Sequence, residues 1–512
     1  MTADRTQSPI DTSRVPTSTR RAVLWIGISS AAVLCTVLIA AVVRSYRTPP
    51  PVGVRVLVVL PMDNETGDPG LDYVTSGIVE GITRRLERTG GLQLRTGARS
   101  EWPASSRHDS APFAGEFGSR ILLRTVLARV GDSLEVRASV LDADTKREKT
   151  LAARRFAISQ LREVESGLAA HVFGAVFRVA QPSEPRPPDH PIDAESYRLT
   201  LEGWHQLMAL RNPEHAKDLF IRATEKDRTN ARAFAGLSAA WGRQTITHQV
   251  PFDVGYDRMS AAAASALALD SLQGSALANL AFVGAWKFRS LAVGEDLFRR
   301  AKAAEPSNAE IYQLESALYR HAWQWDKAEF AIRIAQQLDP LRSSLVGLEA
   351  GLLVCQNRVA EAERLLRQEI AVNPTGSART RFPAVLARLG RYDEAIDAMR
   401  EDALQAGQDS VAVLLAGARG QSGYWSSVQR SGRARLAQLQ KQAKRTWASP
   451  YVIMLAQFEA GDTARAYGSL AKLERERDLN LVMLRCAPEI DAERGNPRLD
   501  SALKRIPAFP LR

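Results

Sequence analysis

The residues best placed to do chemistry lie in one short stretch, VLVVLPMDNETGDPGLDY, where an apolar run ends in Pro61 and a loop of acids and glycines follows. Asp63, Glu65, Asp68 and Asp72 could together hold a hard cation, and a strand, a glycine-bearing loop and a helix start are the layout of many phosphate sites. Neither reading has the right spacing. The acids do not follow the pattern of a calcium loop, Pro69 interrupts them, and no lysine is near to meet a phosphate. The better reading is a turn whose acids cap the helix that follows. Elsewhere the chain has no GxxxxGK[ST], GxGxxG, GxSxG or HExxH motif and no kinase signature. Its seven histidines are scattered, and its three cysteines, Cys35, Cys355 and Cys486, suit neither a zinc site nor a disulfide-dense scaffold. A single Cys355–Cys486 bridge is open to it in an oxidising compartment, but two unrelated buried thiols fit the spacing better. We therefore expect a protein that is not an enzyme, with no cofactor and no metal.

The elements around these residues set its class. At 512 residues the chain needs more than one core, and its 45% hydrophobic and 24% charged content is globular. The net charge of +11 is spread between carboxylates rather than gathered into a basic, aromatic-interleaved patch, so no nucleic-acid partner is expected. Residues 22–43 form 22 uncharged positions, enough to cross a hydrocarbon core of about 30 Å. Arginines 20, 21, 44 and 47 flank them. The length favours an uncleaved transmembrane helix over a signal peptide. The tail, residues 1–21, is expected in the cytoplasm and the bulk outside.

After the anchor, Val54–Leu60 reads as a buried strand and Asp72–Arg88 as an amphipathic helix carrying Tyr73, Val74, Ile78, Ile82 and Leu86. Leu92–Arg95 reads as a short strand. Two runs across Gly131-Asp132 read as a β-hairpin, Lys149–Phe156 as a further strand, and Ser159–Val179 as a helix. These make an α/β domain over 52–180. A linker over 181–192 holds five prolines between Gln181 and Pro191. Beyond it, helix stops recur at Asp270, Glu305, Asp339 and Asn373, 35, 34 and 34 residues apart, with an earlier stop at Asp227. Gly294, Ala328 and Ala362 keep the same 34-residue step, as do Phe298, Ile332 and Leu366. Two helices per unit, small residues where they meet and a bulky one filling the gap describe an all-α solenoid over 193–405. Divergent helices, including Val411–Ala418, Arg433–Thr446 and Tyr451–Glu459, and a fold-back cap are expected over 406–512.

Two resemblances follow. Residues 54–180, with VLPMDNETGDPGLDY and the hairpin GSRILLRTVLARVGDSLEVRASVLDADT, resemble the TolB-like amino-terminal domain, departing where Met62 and Glu65-Thr66 replace the usual Phe and Leu-Ser. That likeness implies a bacterial extracytoplasmic module beside a transmembrane helix, often joined to kinase, winged-helix or adenylate-cyclase modules. The 34-residue units, with Leu389-Gly-Arg-Tyr-Asp-Glu-Ala395, resemble the tetratricopeptide repeat. It implies a protein or peptide partner on the concave surface lined by each unit's first helix, with Trp204, Trp286, Trp323 and Trp325 as candidate contacts. Together these imply a non-enzymatic, membrane-anchored scaffold in the cytoplasmic (inner) membrane, bulk periplasmic. The alternative is the sensory component of a split kinase or transcription regulator.

Overall fold

The computed structural model describes residues 55–89, 92–96, 121–142, 147–177, 192–340 and 342–506. The apolar segment 22–43 and most of the linker lie outside them. Among the described residues, no helix is long and apolar enough to cross a membrane.

Six strands form one mixed sheet in the order β3-β1-β4-β5-β6, with the short β2 beside β4. They are β1 (Arg55–Val59), β2 (Asp63–Asn64), β3 (Leu92–Thr96), β4 (Ile121–Val130), β5 (Ser133–Asp142) and β6 (Arg147–Phe156). β1 and β4 run parallel, Val58 opposite Leu122. β4 and β5 form the expected antiparallel hairpin, Leu127 opposite Val136, and β6 adds to it with a bulge at Ala138/Ser139. Helix α1 (Asp72–Thr89) and helix α2 (Leu161–Phe177) pack on each other beside the sheet. Of the residues expected to carry the helical period of α1, Val74, Ile78, Ile82 and Leu86 are buried and Tyr73 is half-buried against the same core.

The loop before α1 is a knot of hydrogen bonds. Asn64 Nδ2 donates to an Asp72 carboxylate oxygen at 2.7 Å, and Gly70 N–H donates to Asp68 at 2.9 Å. The acids face arginines of the hairpin: Asp63 with Arg124 at 3.5 Å, Glu65 with Arg137 at 3.2 Å, Asp68 with Arg129 at 3.6 Å. They tie β4 and β5 to the turn.

From Ala194 the chain is a solenoid of antiparallel helix pairs. The pairs are α3 (Ala194–Met208) with α4 (Pro213–Lys226), α5 (Ala231–Ile246) with α6 (Phe252–Leu269), and α7 (Gly274–Phe288) with α8 (Leu291–Ala304). They continue as α9 (Ala309–His321) with α10 (Trp325–Leu338), α11 (Ser343–Cys355) with α12 (Val359–Val372), and the short α13 (Phe382–Arg388) with α14 (Tyr392–Gln405). Asp227, Asp270, Glu305, Asp339 and Asn373 are the C-caps of the second helices of the first five pairs. Phe220, Phe298, Ile332 and Leu366, the bulky position of that period, are 0 to 1% exposed. Phe220 fills the space that Gly203 and Gly236 leave.

The C-terminal part departs from expectation. Helix α15 (Asp409–Ala416) is short, and α16 (Gly420–Ala443) begins thirteen residues before the predicted Arg433 start. Gly432 lies inside this helix at a close contact: a methyl group there would stand 2.5 Å from the backbone of Glu459 and Ala460. Helices α17 (Pro450–Glu459) and α18 (Thr463–Glu476) follow, then 3-10 turns over Leu479–Cys486 and Pro488–Glu493, and α19 (Pro497–Arg505). The turns fold back onto the repeats. Arg388 holds Asp491 through two bonds of 2.6 and 2.8 Å. Cys355, at the end of α11, is bonded to Cys486, 131 residues away, with 4.8 Å between the Cα atoms. The expectation of two unrelated thiols is corrected: the fold-back brings together side chains that spacing alone kept apart.

Candidate functional site

Successive first helices, α3, α5, α7, α9 and α11, share one face of the solenoid, and two stretches of the same chain cover it. At one end lies α1. Its sheet-facing residues are apolar, and its other face carries Ser76, Glu80, Thr83, Arg84 and Glu87, which point at the repeats. Glu80 pairs with Arg232 of α5 at 2.8 Å, and Arg88 pairs with Asp270 at 2.6 Å. Ser307 N–H donates to Glu87 at 3.0 Å, and Leu94 N–H of β3 donates to Ser307 Oγ at 3.3 Å. Tyr197 and Leu201 of α3 belong to the core of the α/β domain. Burial and the neighbouring Glu305 push the Glu87 carboxyl up to about 7.

A chamber of ≈ 600 Å³ remains between α1 and the first helices of the first four pairs. This volume suits a small molecule or a few peptide residues. Its floor is polar. Glu310 accepts from Arg243 at 2.5 Å and from Arg342 at 3.1 Å, and Arg342 also reaches Asp339 at 2.8 Å. Burial alone would raise Glu310, but these two arginines outweigh it and hold the carboxyl below its usual range. Its rim is apolar: Met208 and Leu210 are 41% and 58% exposed, beside Trp204. Trp204 stacks edge-on with Phe220 at 5.5 Å, and among the described residues its buried indole N–H has no acceptor. Ser76 Oγ lies 3.2 Å from His205 Nδ1 in the wall. The hydroxyl also lies 3.1 Å from the Asp72 carbonyl, which takes its proton, so the pair is not laid out as an activated nucleophile. Among the described residues, no group of three or more His, Cys, Asp or Glu side chains could hold a metal.

A second chamber of ≈ 420 Å³ lies where the C-terminal segment covers α5, α7 and α9. Phe282, Trp286 and His321 form its aromatic wall, with ring centroids 5.8 Å apart for Phe282 and Trp286 and 4.6 Å apart for Trp286 and His321. Tyr451 and His248, 5.6 Å apart, add to it from the other side. Burial, with Arg320 adjacent, pushes His321 down to about 3, and its Nδ1–H donates to Ala317 O at 2.5 Å. The ring is therefore neutral at ordinary pH.

The four candidate tryptophans take different places. Trp204 lines the larger chamber and Trp286 the smaller. Trp323 lies under the fold-back: its indole N–H donates to Val482 O at 3.4 Å, and the Arg485 guanidinium sits 4.5 Å from the ring. Trp325 opens α10, half-buried against the solenoid core. The sequence reading missed Arg232, Arg243, Arg320 and His321, and no motif marks them. They stand out only because burial leaves them facing a cavity.

No family model matches the chain. A curated relative, the putative adenylate cyclase 3 of Rhizobium meliloti (strain 1021), is 27% identical over 189 residues, 36% of this chain and 32% of the relative. The match thus spans about a third of that protein's length. Among solved structures, the tetratricopeptide-repeat protein TTC0263 of Thermus thermophilus is 18% identical, with a TM-score of 0.32 over 38% of this chain and 99% of its own. Yeast Tom70 is 15% identical, with a TM-score of 0.35 over 68% of this chain and 74% of its own. TolB from Acinetobacter baumannii is 14% identical, with a TM-score of 0.19 over 25% and 29%.

Proposed function

We propose that this chain is a non-enzymatic, membrane-anchored scaffold. Residues 22–43 are its single span, and a TolB-like domain and repeat solenoid lie outside the cytoplasmic membrane, where they bind a protein partner. The observation that carries this reading is the larger chamber, open at an apolar rim of Met208, Leu210 and Trp204 on the first-helix face. A peptide segment that placed an apolar side chain at the rim and offered an acceptor to the Trp204 indole would satisfy a donor that is buried and unpaired. The Cys355–Cys486 bond supports an extracytoplasmic setting, since structural disulfides persist in oxidising compartments.

The test is a photo-crosslinking amino acid at position 210 of the full chain in native membranes, with position 468, exposed on α18, as the control site. A discrete adduct with one protein at 210 and none at 468 supports the reading. Equal labelling at both positions sinks it. A reporter fused to the C-terminus and active only in the cytoplasm would overturn the topology.

A second reading, a sensory component of a signalling system, is favoured by the match to part of a putative adenylate cyclase. It predicts that the crosslinked partner is itself a kinase, cyclase or DNA-binding regulator.

A further inference from the structure

The smaller chamber contains a charge that the described residues leave unanswered. Arg320, near the end of α9, faces it. Among the described residues, no carboxylate pairs with its guanidinium, and its Nε is buried without a hydrogen-bond partner. The groups around it do not compensate. Arg381, from the turn before α13, adds a like charge, and Tyr451 offers a neutral hydroxyl. Arg243 is committed to Glu310 at 2.5 Å. Asp478 is the one carboxylate in the wall; it accepts from Asn480 N–H at 2.8 Å to cap the 3-10 turn and makes no ion pair with Arg320. His321 and His248 are both held toward the neutral form by burial. Burial and Arg381 push the Arg320 guanidinium down to about 10, which leaves it charged at neutral pH.

Arg320 is half-buried with its Nε fully enclosed, and a cation drawn partly out of water is unfavourable unless something else meets it. The rest of the wall says what shape that partner has. Phe282, Trp286 and Tyr451 surround an apolar space of ≈ 420 Å³, within the range of small-ligand pockets. We propose that this chamber binds a small organic monocarboxylate with an apolar or aromatic body, its carboxylate on Arg320 and its body against Trp286 and Phe282. The ligand lies between the repeats on one side and the C-terminal segment (Tyr451, Asp478, Met483) on the other. Occupancy therefore holds that segment against the first helices. The inference stands apart from the partner-binding reading, which concerns the other chamber.

The test uses the full chain in detergent, with 3-phenylpropionate and indole-3-acetate as probes and 3-phenylpropanol as the neutral control. Binding is read by calorimetry and by tryptophan fluorescence. The expected result is that the acids bind at least tenfold more tightly than the alcohol, and that protease cleavage between α18 and α19 slows when they are present. Arg320→Met should remove the preference for acids while leaving the melting temperature unchanged or raised, because it removes a half-buried charge that no described carboxylate pairs. Arg320→Lys should keep part of the preference. The proposal is overturned if neither acid binds at millimolar concentration, if acid and alcohol bind alike, or if Arg320→Met lowers the melting temperature while acid binding persists.

Discussion

Gly203 of α3 tests how closely the first two helix pairs are packed. A methyl group at this position would stand 2.7 Å from Cε1 and 2.9 Å from Cδ1 and Cζ of Phe220. Relaxed carbon contacts lie at about 3.5–4.0 Å, so the ring must move. It has little room: Phe220 is 0% exposed, a methyl group on Gly236 would stand closer still, 2.2 Å from the same Cε1, and Trp204 stands edge-on at 5.5 Å. Two effects compete in Gly203→Ala. Replacing glycine inside a helix gains about 1 kcal/mol, and overpacking a filled core costs about 1–3 kcal/mol. Because the ring is fully enclosed, the cost should prevail, for a net loss of up to about 2 kcal/mol. A solenoid opens locally, so amide hydrogen exchange over α3, α4 and α5 reads the effect better than a global melt. Gly468→Ala in α18 is the opposite-sign control. Nothing lies within 4 Å of its added methyl, and it should gain up to about 1 kcal/mol. If Gly203→Ala raises protection in α3–α5 as Gly468→Ala does in α18, the Phe220 wedge does not set the helix spacing and the reasoning fails.

Three further outcomes follow from the same packing. Asp491→Ala takes from the largely enclosed Arg388 its ion pair but leaves its bonds to the Cys486 and Ala487 carbonyls, a loss of about 1.5–3 kcal/mol for the fold-back, and limited proteolysis should then cut between α18 and α19; unchanged cleavage would contradict it. Cys355→Ser opens a loop that the bond closes across 131 residues, and should lower the stability of the C-terminal part by about 2–5 kcal/mol with a mobility change on a non-reducing gel. Glu87 titrates near 7 in the folded chain, above its usual value of 4.5, so the folded state binds the extra proton. Its contribution is present below the unfolded value and lost as pH rises through about 7; protection at the α1–α9 contact should weaken between pH 5 and 8, and Glu87→Gln should flatten that slope.

Much of this architecture is legible in local pattern because local physics decides it. The stops at Asp227, Asp270, Glu305, Asp339 and Asn373 are helix caps, and the 34-residue step of Phe298, Ile332 and Leu366 is the wedge inside each pair. The period of Val74, Ile78, Ile82 and Leu86 likewise names the face that α1 buries against its sheet. A periodic sequence states which residues face a neighbour, but not which distant segment arrives on the side left over. That α1 and the C-terminal turns cover the first-helix face is a long-range result. So are the Cys355–Cys486 bond, the burial of Trp323 under Val482 and the unpaired charge of Arg320. An arginine in a helix reads as a solvated side chain until another part of the chain closes over it. Sequence therefore determined the units and their spacing, whereas tertiary structure alone decided which surfaces stay open and which charges are left for a ligand.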